Sequence, residues 1–270
     1  TMNVANTSPD PLDVAVEAKG YGSSAASSHD ILEPEEDTSP YSARELLTVA
    51  PQSFHLEPEE SQDITVTATI PSNVGSGGRY AIIYIHTVPP PGGTNVAVAT
   101  AVAARVLLTI EGSELIKSGE ISQIELSKAE SGQPLEIRVI VENDGNCHYK
   151  ISAQGEIKDE ADEVVAILSP VTPGFPIIPA CSQEVTIPFL DWENLPAGKY
   201  QVEIEVVSED GTPIDTGTAS FELSAPGELL EPPEEAPPEE LPTEAEGYPG
   251  KMVIILGGRL NAGFKIVLVI

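Results

Sequence analysis

The stretch Leu135-Glu-Ile-Arg-Val-Ile-Val-Glu-Asn143 decides the fold of this chain, because apolar residues occupy every second position in it. An alternation of period two places one set of side chains in a core and the other in water, which is typical of a strand in a half-buried sheet. Similar short runs recur along the chain, with turns rich in Gly, Pro and Asn between them. The pattern predicts an all-β protein built from immunoglobulin-like β-sandwiches.

Two segments of the chain repeat each other weakly. Val4-Ala-Asn6 stands before a turn as Val141-Glu-Asn143 does, and Gly78-Arg-Tyr80 opens an apolar strand as Gly198-Lys-Tyr200 does. Such pairs are expected where one fold is used twice. The predicted organisation is a first sandwich over residues 1–112, a second over 113–224, a Pro/Glu-rich spacer over 225–250 and an apolar C-terminal segment over 251–270.

The two repeats differ at their beginnings. The second has a predicted strand, Ile121–Leu126, before its Val-x-Asn strand, whereas the first begins almost at Val4. We therefore expect the first sandwich to lack its opening strand, either because that strand has been trimmed away or because another segment supplies it by strand addition. The residues expected at the resulting open edge are Val4, Val96, Val98, Val102 and Val106, the last four from the apolar run Val96–Ile110. Residues 22–40, rich in Ser, Glu and Asp without a period, are predicted to be a long surface loop.

The composition excludes several classes of function. The chain has 13 basic and 43 acidic residues and a net charge of −30, so a basic surface for nucleic acid is excluded. Two cysteines cannot form a disulfide-dense scaffold or a four-Cys zinc site. The four histidines have no spacing typical of a metal or nucleophile–base site. We predict no enzyme, no catalytic or metal site and no cofactor.

The two cysteines are a candidate disulfide. Cys147 and Cys181 each begin a predicted strand, and counting chain reversals places both at the same end of the second sandwich. Either they form one disulfide or they remain two buried free thiols. An oxidising, extracytoplasmic location favours the bond.

The C-terminal part changes composition twice. Residues 225–246 contain six Pro and eight Glu, which predicts an extended, polyproline-like spacer. The apolar residues 251–270 have the length of a membrane-spanning helix, but they also fit β-strands or a cloning or frame artefact. In the strand interpretation, the last run suits a sandwich edge that lacks a strand. The candidate anchor or donor residues are Phe264, Ile266, Val267, Leu268, Val269 and Ile270.

Three motifs carry a resemblance to a known family. They are Pro51-Gln-Ser-Phe54-His-Leu56-Glu-Pro58, Gly78-Arg-Tyr80-Ala-Ile-Ile-Tyr84 and Ala104-Arg-Val-Leu-Leu-Thr-Ile110. Together they resemble the first domain of bacterial WxL-interacting surface proteins, which looks like the amino-terminal sandwich of pilus periplasmic chaperones. Residues 118–224 resemble the second domain of the same proteins. The resemblance implies a cell-surface location, a spacer followed by a membrane anchor, and binding to a wall polymer or partner protein.

These observations predict a non-catalytic, extracellular adhesion or scaffolding protein. Its two sandwiches would be presented on a stalk at the cell surface to a wall polymer or a surface protein. The alternative is a self-assembling filament or surface-layer subunit, in which the C-terminal apolar strand of one copy enters the first sandwich of the next. A chaperone-like role is a third interpretation.

Overall fold

The computed structural model describes residues 1–24, 27–89, 100–127, 134–223 and 264–268, with the backbone alone for residues 27, 28 and 264–268. The strands in the first half of the chain are β1 (Met2–Asn6), β2 (Leu12–Ser24), β3 (Ser27–Leu32), β4 (Leu47–Ala50), β5 (Ser53–Leu56), β6 (Ser61–Ala68), β7 (Gly78–Thr87) and β8 (Ala101–Thr109). The later strands are β9 (Gly119–Leu126), β10 (Leu135–Asn143), β11 (Ile151–Lys158), β12 (Val164–Val171), β13 (Ser182–Phe189), β14 (Gly198–Ser208), β15 (Pro213–Leu223) and β16 (Phe264–Leu268). Short 3-10 helices cover Arg44–Leu46 and Asp191–Asn194.

The first sandwich consists of two antiparallel sheets. One has the strand order β16-β1-β6-β4, and the other has the order β3-β2-β7-β8 with β5 also paired to β2. Apolar side chains from both sheets form one core between them. Its buried members include Val4, Val14, Val16, Leu56, Ile64, Ala81, Ile83 and Ile85.

The second sandwich has a three-stranded sheet of order β13-β10-β9 and a four-stranded sheet of order β12-β11-β14-β15. In β10 the alternate residues Ile137, Val139 and Val141 are buried, whereas Glu136 and Arg138 are exposed. The period-two pattern thus builds this core as the sequence indicates. The prediction of an all-β chain with two immunoglobulin-like sandwiches is confirmed.

A buried asparagine ends the corresponding strand of each sandwich. Asn6 Nδ2 donates to the carbonyls of Asp10 (2.8 Å) and Leu56 (3.2 Å), and its Oδ1 accepts from the amide of Ser8 at 2.9 Å. Asn143 repeats this arrangement, donating to Cys147 O (3.0 Å) and Ile177 O (3.1 Å) and accepting from Gly145 N at 2.9 Å. Each amide side chain closes the turn that follows its strand and ties that turn to a second segment of the chain through two main-chain carbonyls.

The backbone around these asparagines is also repeated. The backbone carbonyl of each asparagine accepts from the backbone N–H of a residue with positive φ. Glu59 donates to Asn6 and Ala180 donates to Asn143, both at 2.9 Å. The corresponding strands β7 and β14 begin with Gly78-Arg79-Tyr80 and Gly198-Lys199-Tyr200, and both tyrosines are buried, but Tyr80 packs at the junction between the sandwiches whereas Tyr200 packs in the core of the second. The repeated Val-x-Asn motif therefore reflects two copies of one local architecture, and the repeated tyrosine does not.

The two sandwiches meet through a close backbone approach. Gly78 N donates to Asn146 O at 2.7 Å, and the neighbouring Gly77 has a φ of +92°. A Cβ at Gly77 would lie 2.2 Å from Asn146 O, so a side chain has no room there. Tyr80 Oη lies 3.2 Å from His148 Nδ1 across the same junction. These contacts join the start of β7 to the turn after β10.

The structure differs from the sequence expectations at two places and leaves the predicted spacer outside the described residues. The predicted loop over 22–40 is wrong in its first part, because β2 extends to Ser24 and pairs with β3. The strand expected over Val96–Ile110 is β8, Ala101–Thr109, while Val96 and Val98 lie outside the described residues. The predicted spacer over 225–250 and residues 251–263, 269 and 270 of the C-terminal segment also lie outside them. Among the described residues, no helix is long and apolar enough to cross a membrane.

Candidate functional site

The outer side of β1, called here the β1 edge, carries the C-terminal strand β16. The two strands run antiparallel over five residue pairs, from Met2 opposite Leu268 to Asn6 opposite Phe264. On its other side β1 pairs with β6, with Met2 opposite Ile64. β1 is therefore an inner strand of its sheet, and Val4 is fully buried instead of lying at an open edge.

The place of β16 in the first sandwich is the place of β9 in the second. β9 pairs antiparallel with β10, the strand that ends at Asn143, as β16 pairs with β1, the strand that ends at Asn6. The other neighbours also correspond, since β10 pairs with β13 and β1 with β6. β9 directly precedes β10 along the chain, whereas β16 follows β1 after both sandwiches. The first sandwich therefore has a strand from the far end of the chain at its β1 edge.

The residues of β16 also follow an alternating pattern. Phe264, Ile266 and Leu268 stand opposite Asn6, Val4 and Met2, the three buried residues of β1. Lys265 stands opposite Ala5 and Val267 opposite Asn3, both partly exposed positions. Residues directly opposite in an antiparallel pair share one face of the sheet, so this register puts the three apolar positions of the alternation on the core side. Val269 and Ile270 lie outside the described residues.

A second edge of the first sandwich is the outer side of β8, called here the β8 edge. β8 pairs with β7 from Gly78↔Thr109 to His86↔Ala101, and in the described ranges no strand pairs with its other side. The β7 residues Ala81, Ile83 and Ile85 are fully buried, but their β8 partners Val106, Ala104 and Val102 are only half-buried. The core is therefore less well covered at β8 than at β7.

A cavity of about 300 Å³ lies between the two sheets beside β8. Its walls include apolar side chains from β1, β6, β7 and β8, among them Met2, Val66, Ile83 and Val106. The described lining residues also include Arg105, whose guanidinium lies outside the core on the ring of Phe175.

Arg105 attaches β8 to the second sandwich. Its guanidinium carbon lies 3.8 Å from the ring centre of Phe175, which belongs to the segment between β12 and β13. Arg105 Nη1 donates to His29 Nε2 at 2.9 Å, and the His29 ring meets Phe175 edge-on at 4.4 Å. Burial and then the nearby Arg105 charge lower the pKa of His29, which keeps the imidazole neutral and able to accept this bond. The cluster fixes the orientation of β8 at the junction.

The candidate disulfide is not formed in the structure, and both cysteines are free. Cys147 is buried, with its Sγ 3.4 Å from the carbonyl of Ile116. Cys181 instead packs against the junction cluster of Tyr21, Tyr80, Ile82 and Ile178. Burial raises the pKa of both thiols, which favours the protonated form at neutral pH. The two residues do lie at the same end of the sandwich, because Asn143 bonds to the backbone of each.

The histidines occupy separate environments. His55 Nδ1 lies 2.8 Å from Asp13, His86 Nε2 lies 3.6 Å from Glu17, and His148 contacts Tyr80. Within the described ranges, no group of three His, Cys, Asp or Glu side chains is placed to hold a metal ion.

Two features of this region were not predicted from the sequence. The paired role of Asn6 and Asn143 follows from turn geometry, although the repeated Val-x-Asn signal was visible. The Arg105–His29–Phe175 cluster joins residues far apart in the chain. Its one signal in the sequence is that Arg105 is the single charged residue in the apolar run Val96–Ile110.

This chain resembles solved protein structures in fold but matches no known sequence family. No family model matches the chain, and no curated protein matches it. A chain from a chaperone–tip adhesin complex of CFA/I fimbriae is 15% identical, covering 77% of this chain and 84% of that chain with a TM-score of 0.42. The class 5 fimbriae chaperone CfaA is 16% identical, with 77% and 84% covered and a TM-score of 0.41.

A third solved structure, the E. coli chaperone DraB, is 17% identical and covers 83% of this chain and 89% of its own, with a TM-score of 0.36. Two of these neighbours are chaperones, and all three have low identity to this chain. The resemblance to WxL-interacting proteins remains a prediction from the motifs in residues 1–112 and 118–224.

Proposed function

We propose that this chain is a non-catalytic, extracellular adhesion or scaffolding protein whose first sandwich binds an extended strand at its β1 edge. The observation that carries the proposal is the pairing of β16 with β1 at the position that β9 has beside β10. An edge that pairs with a segment from the far end of the chain is suited to pairing with a strand of another protein. Display at a cell surface is proposed from the family resemblance and the Pro/Glu-rich spacer.

Main-chain pairing supplies the affinity of such a site, and alternate side chains supply its specificity. Five residue pairs align along β1. Each backbone hydrogen bond between the strands contributes a net binding free energy of about 0.5–1.5 kcal/mol. The buried residues Met2 and Val4 set an apolar requirement for the residues opposite them. The ligand expected at the β1 edge is therefore an antiparallel segment with apolar residues at alternate positions.

Peptide binding to a shortened chain tests this proposal. A chain ending at Gly263 should bind a peptide with the sequence of residues 264–270, measured by fluorescence anisotropy of a labelled peptide. A control peptide carrying Ile266→Asp keeps the length but places a carboxylate opposite Val4, and it should bind at least tenfold more weakly. Equal binding of both peptides, or of neither, contradicts the proposed site. The full-length chain should bind the peptide more weakly, because its own β16 competes.

A second candidate function is self-assembly through exchange of β16 between copies. Residues 224–263 separate β15 from β16 and include the Pro/Glu-rich segment. Fully extended, a linker of this size spans more than about 100 Å, so β16 could reach the first sandwich of a neighbour. The net charge of −30 on each copy opposes assembly, and added salt should promote it.

Electron microscopy separates the two candidates. Filaments that form with the full chain at high salt and disappear with the chain ending at Gly263 support strand exchange between copies. A full chain that forms no filaments, while the shortened chain still binds the peptide, supports a receptor for a partner strand. Shortened chains that still form filaments contradict assembly through β16.

A further inference from the structure

A different edge of the molecule has the features of a self-pairing surface. β12 lies at the end of the sheet β12-β11-β14-β15, and in the part of the chain that the structure describes it pairs with β11 alone. We call its outer side the β12 edge. Three apolar side chains of this strand are exposed: Ile167 by 81%, Val164 by 48% and Val165 by 40%.

The opposite edge of the same sheet has no such surface. β15 carries Asp215 and Glu222, and between them Thr216, Thr218 and Ser220 alternate with smaller or less exposed residues. Charged and polar residues on an edge strand are the usual protection against unwanted pairing. β12 has the sequence Val-Val-Ala-Ile-Leu-Ser-Pro-Val, without a charged residue. The sheet therefore has polar residues that disfavour pairing at its β15 edge and exposed apolar residues at its β12 edge.

The charges around β12 indicate which partner fits. The chain has 43 acidic residues, yet positions 164–183 contain none and no basic residue either. Directly before β12, the turn Asp159–Glu163 carries four carboxylates. A partner strand running parallel in the same register would place two such turns side by side. An antiparallel partner places each acidic turn beside an uncharged segment.

We propose that the β12 edge pairs antiparallel with the β12 edge of a second copy of this chain. With Ile167 opposite Ile167, the acidic turn of each copy stands opposite residues 171–175 of the other, none of which is charged. Residues directly opposite in an antiparallel pair lie on the same face, so the two Ile167 side chains contact each other and leave water. Such a contact is its own complement under a two-fold axis, as a closed dimer requires.

Pro170 limits the length of the pairing. Proline has no backbone N–H to donate, and it lies where the β11–β12 register shifts between Ala153 and Gly155. The paired stretch is therefore short and centred on Ile167. Because a short strand pair buries little surface, we expect a weak dimer that forms at high protein concentration and strengthens with salt.

Sedimentation of the full chain over a concentration series tests the proposal. The wild type should show a monomer–dimer equilibrium, and Ile167→Asp should weaken the dimer at least tenfold. Leu190→Asp is the matched control, because Leu190 is 73% exposed in the same sandwich but lies outside the strands. It adds the same charge and should leave the dimer unchanged. A chain that is monomeric throughout, or a dimer that Ile167→Asp does not weaken, overturns the proposal.

Cross-linking gives an independent measurement of the register. Ile167→Cys should form an inter-chain disulfide under mild oxidation, whereas Leu190→Cys and the wild type, with Cys147 and Cys181 alone, should not. Equal cross-linking of all three chains overturns the proposal. The chain ending at Gly263 should still form the dimer, which separates this contact from exchange of β16. Loss of the dimer in that shortened chain assigns the contact to β16 and overturns pairing through β12.

Discussion

The two sandwiches share one architecture but obtain one strand differently. Each has a buried asparagine with the same three side-chain bonds, and each has a tyrosine at the start of the corresponding strand. In the second sandwich the strand beside the asparagine-bearing strand is β9, its immediate predecessor in the chain. In the first it is β16, which follows both sandwiches. The same fold can thus be closed by a local strand or by a remote one.

This difference affects energetics more than shape. A strand that is adjacent in sequence costs little chain entropy to place, whereas a remote strand must close a long loop. We therefore expect β16 to be displaced more easily than β9, so that a partner strand can take its place beside β1.

The largest effect should come from the feature that both sandwiches share. Asn6→Ala and Asn143→Ala each remove a buried amide that bonds two carbonyls and one N–H. Buried groups left without partners cost about 1–3 kcal/mol each, so we expect each variant to lose about 3 kcal/mol of unfolding free energy. Urea unfolding measures this loss in both variants.

The single tryptophan assigns each loss to a sandwich. Trp192 packs against the core of the second sandwich, so its fluorescence follows that sandwich. Asn143→Ala should shift the Trp192 transition, and Asn6→Ala should leave that transition in place while shifting part of the circular-dichroism transition that both sandwiches share. Asn3→Ala, which removes an exposed bond to Asp63, is the control and should change little. Unequal losses for the two buried asparagines would show that the repeat is not energetically equivalent.

The next largest effect should come from removing β16, which should destabilise the first sandwich and leave the second unchanged. A chain ending at Gly263 lacks β16, and we expect its first sandwich to lose about 2 kcal/mol through the backbone bonds along β1. Amide exchange should accelerate in β1 and β6 but not in β10 and β13. The Trp192 transition should stay in place. Unchanged protection of β1 would contradict the pairing of β16 and with it the proposed binding edge.

A smaller effect concerns the junction between the sandwiches. Phe175→Leu keeps apolar bulk but removes the ring beneath the Arg105 guanidinium, an interaction worth about 1 kcal/mol. The unfolding transitions of the two sandwiches should then separate further along the urea axis. Phe175→Tyr retains the ring and serves as the control. If Phe175→Leu has no effect in an Arg105→Met background but does in the wild type, the coupling is between these two side chains.

The sequence predicted what depends on local alternation and missed what depends on contacts between distant segments. Strands such as β10 follow from residues 135–143 alone, because period two fixes which side chains are buried. The apolar alternation of Phe264, Ile266 and Leu268 suggested a strand for an incomplete edge, but periodicity alone could not distinguish it from a membrane segment. The Arg105 cluster could not be predicted, since His29 and Phe175 meet it only after both sandwiches have folded.

The smallest effect should appear in the pH dependence of stability. Burial lowers the pKa of His29 and of His148, both at the junction, below their ordinary value of 6.5. The exposed His55 has a raised pKa, chiefly because it bonds to the Asp13 carboxylate. As the pH falls below 6.5, the unfolded chain takes up protons that folded His29 and His148 do not, so these two residues lower the unfolding free energy.

His55 acts in the opposite direction. Its contribution to stability is fully present below pH 6.5 and is lost as the pH rises through its folded pKa. An NMR titration of the four imidazoles should therefore place His29 and His148 below 6.5 and His55 above it. In a plot of unfolding free energy against pH, His29→Gln should reduce the fall in stability below pH 6.5. His55→Gln should reduce the fall that occurs as the pH rises through the folded pKa of His55. Because His29 bonds to Arg105 and His55 does not, acid should loosen the junction specifically. If His29→Gln leaves the loss of stability below pH 6.5 unchanged, protonation of His29 does not cause that loss.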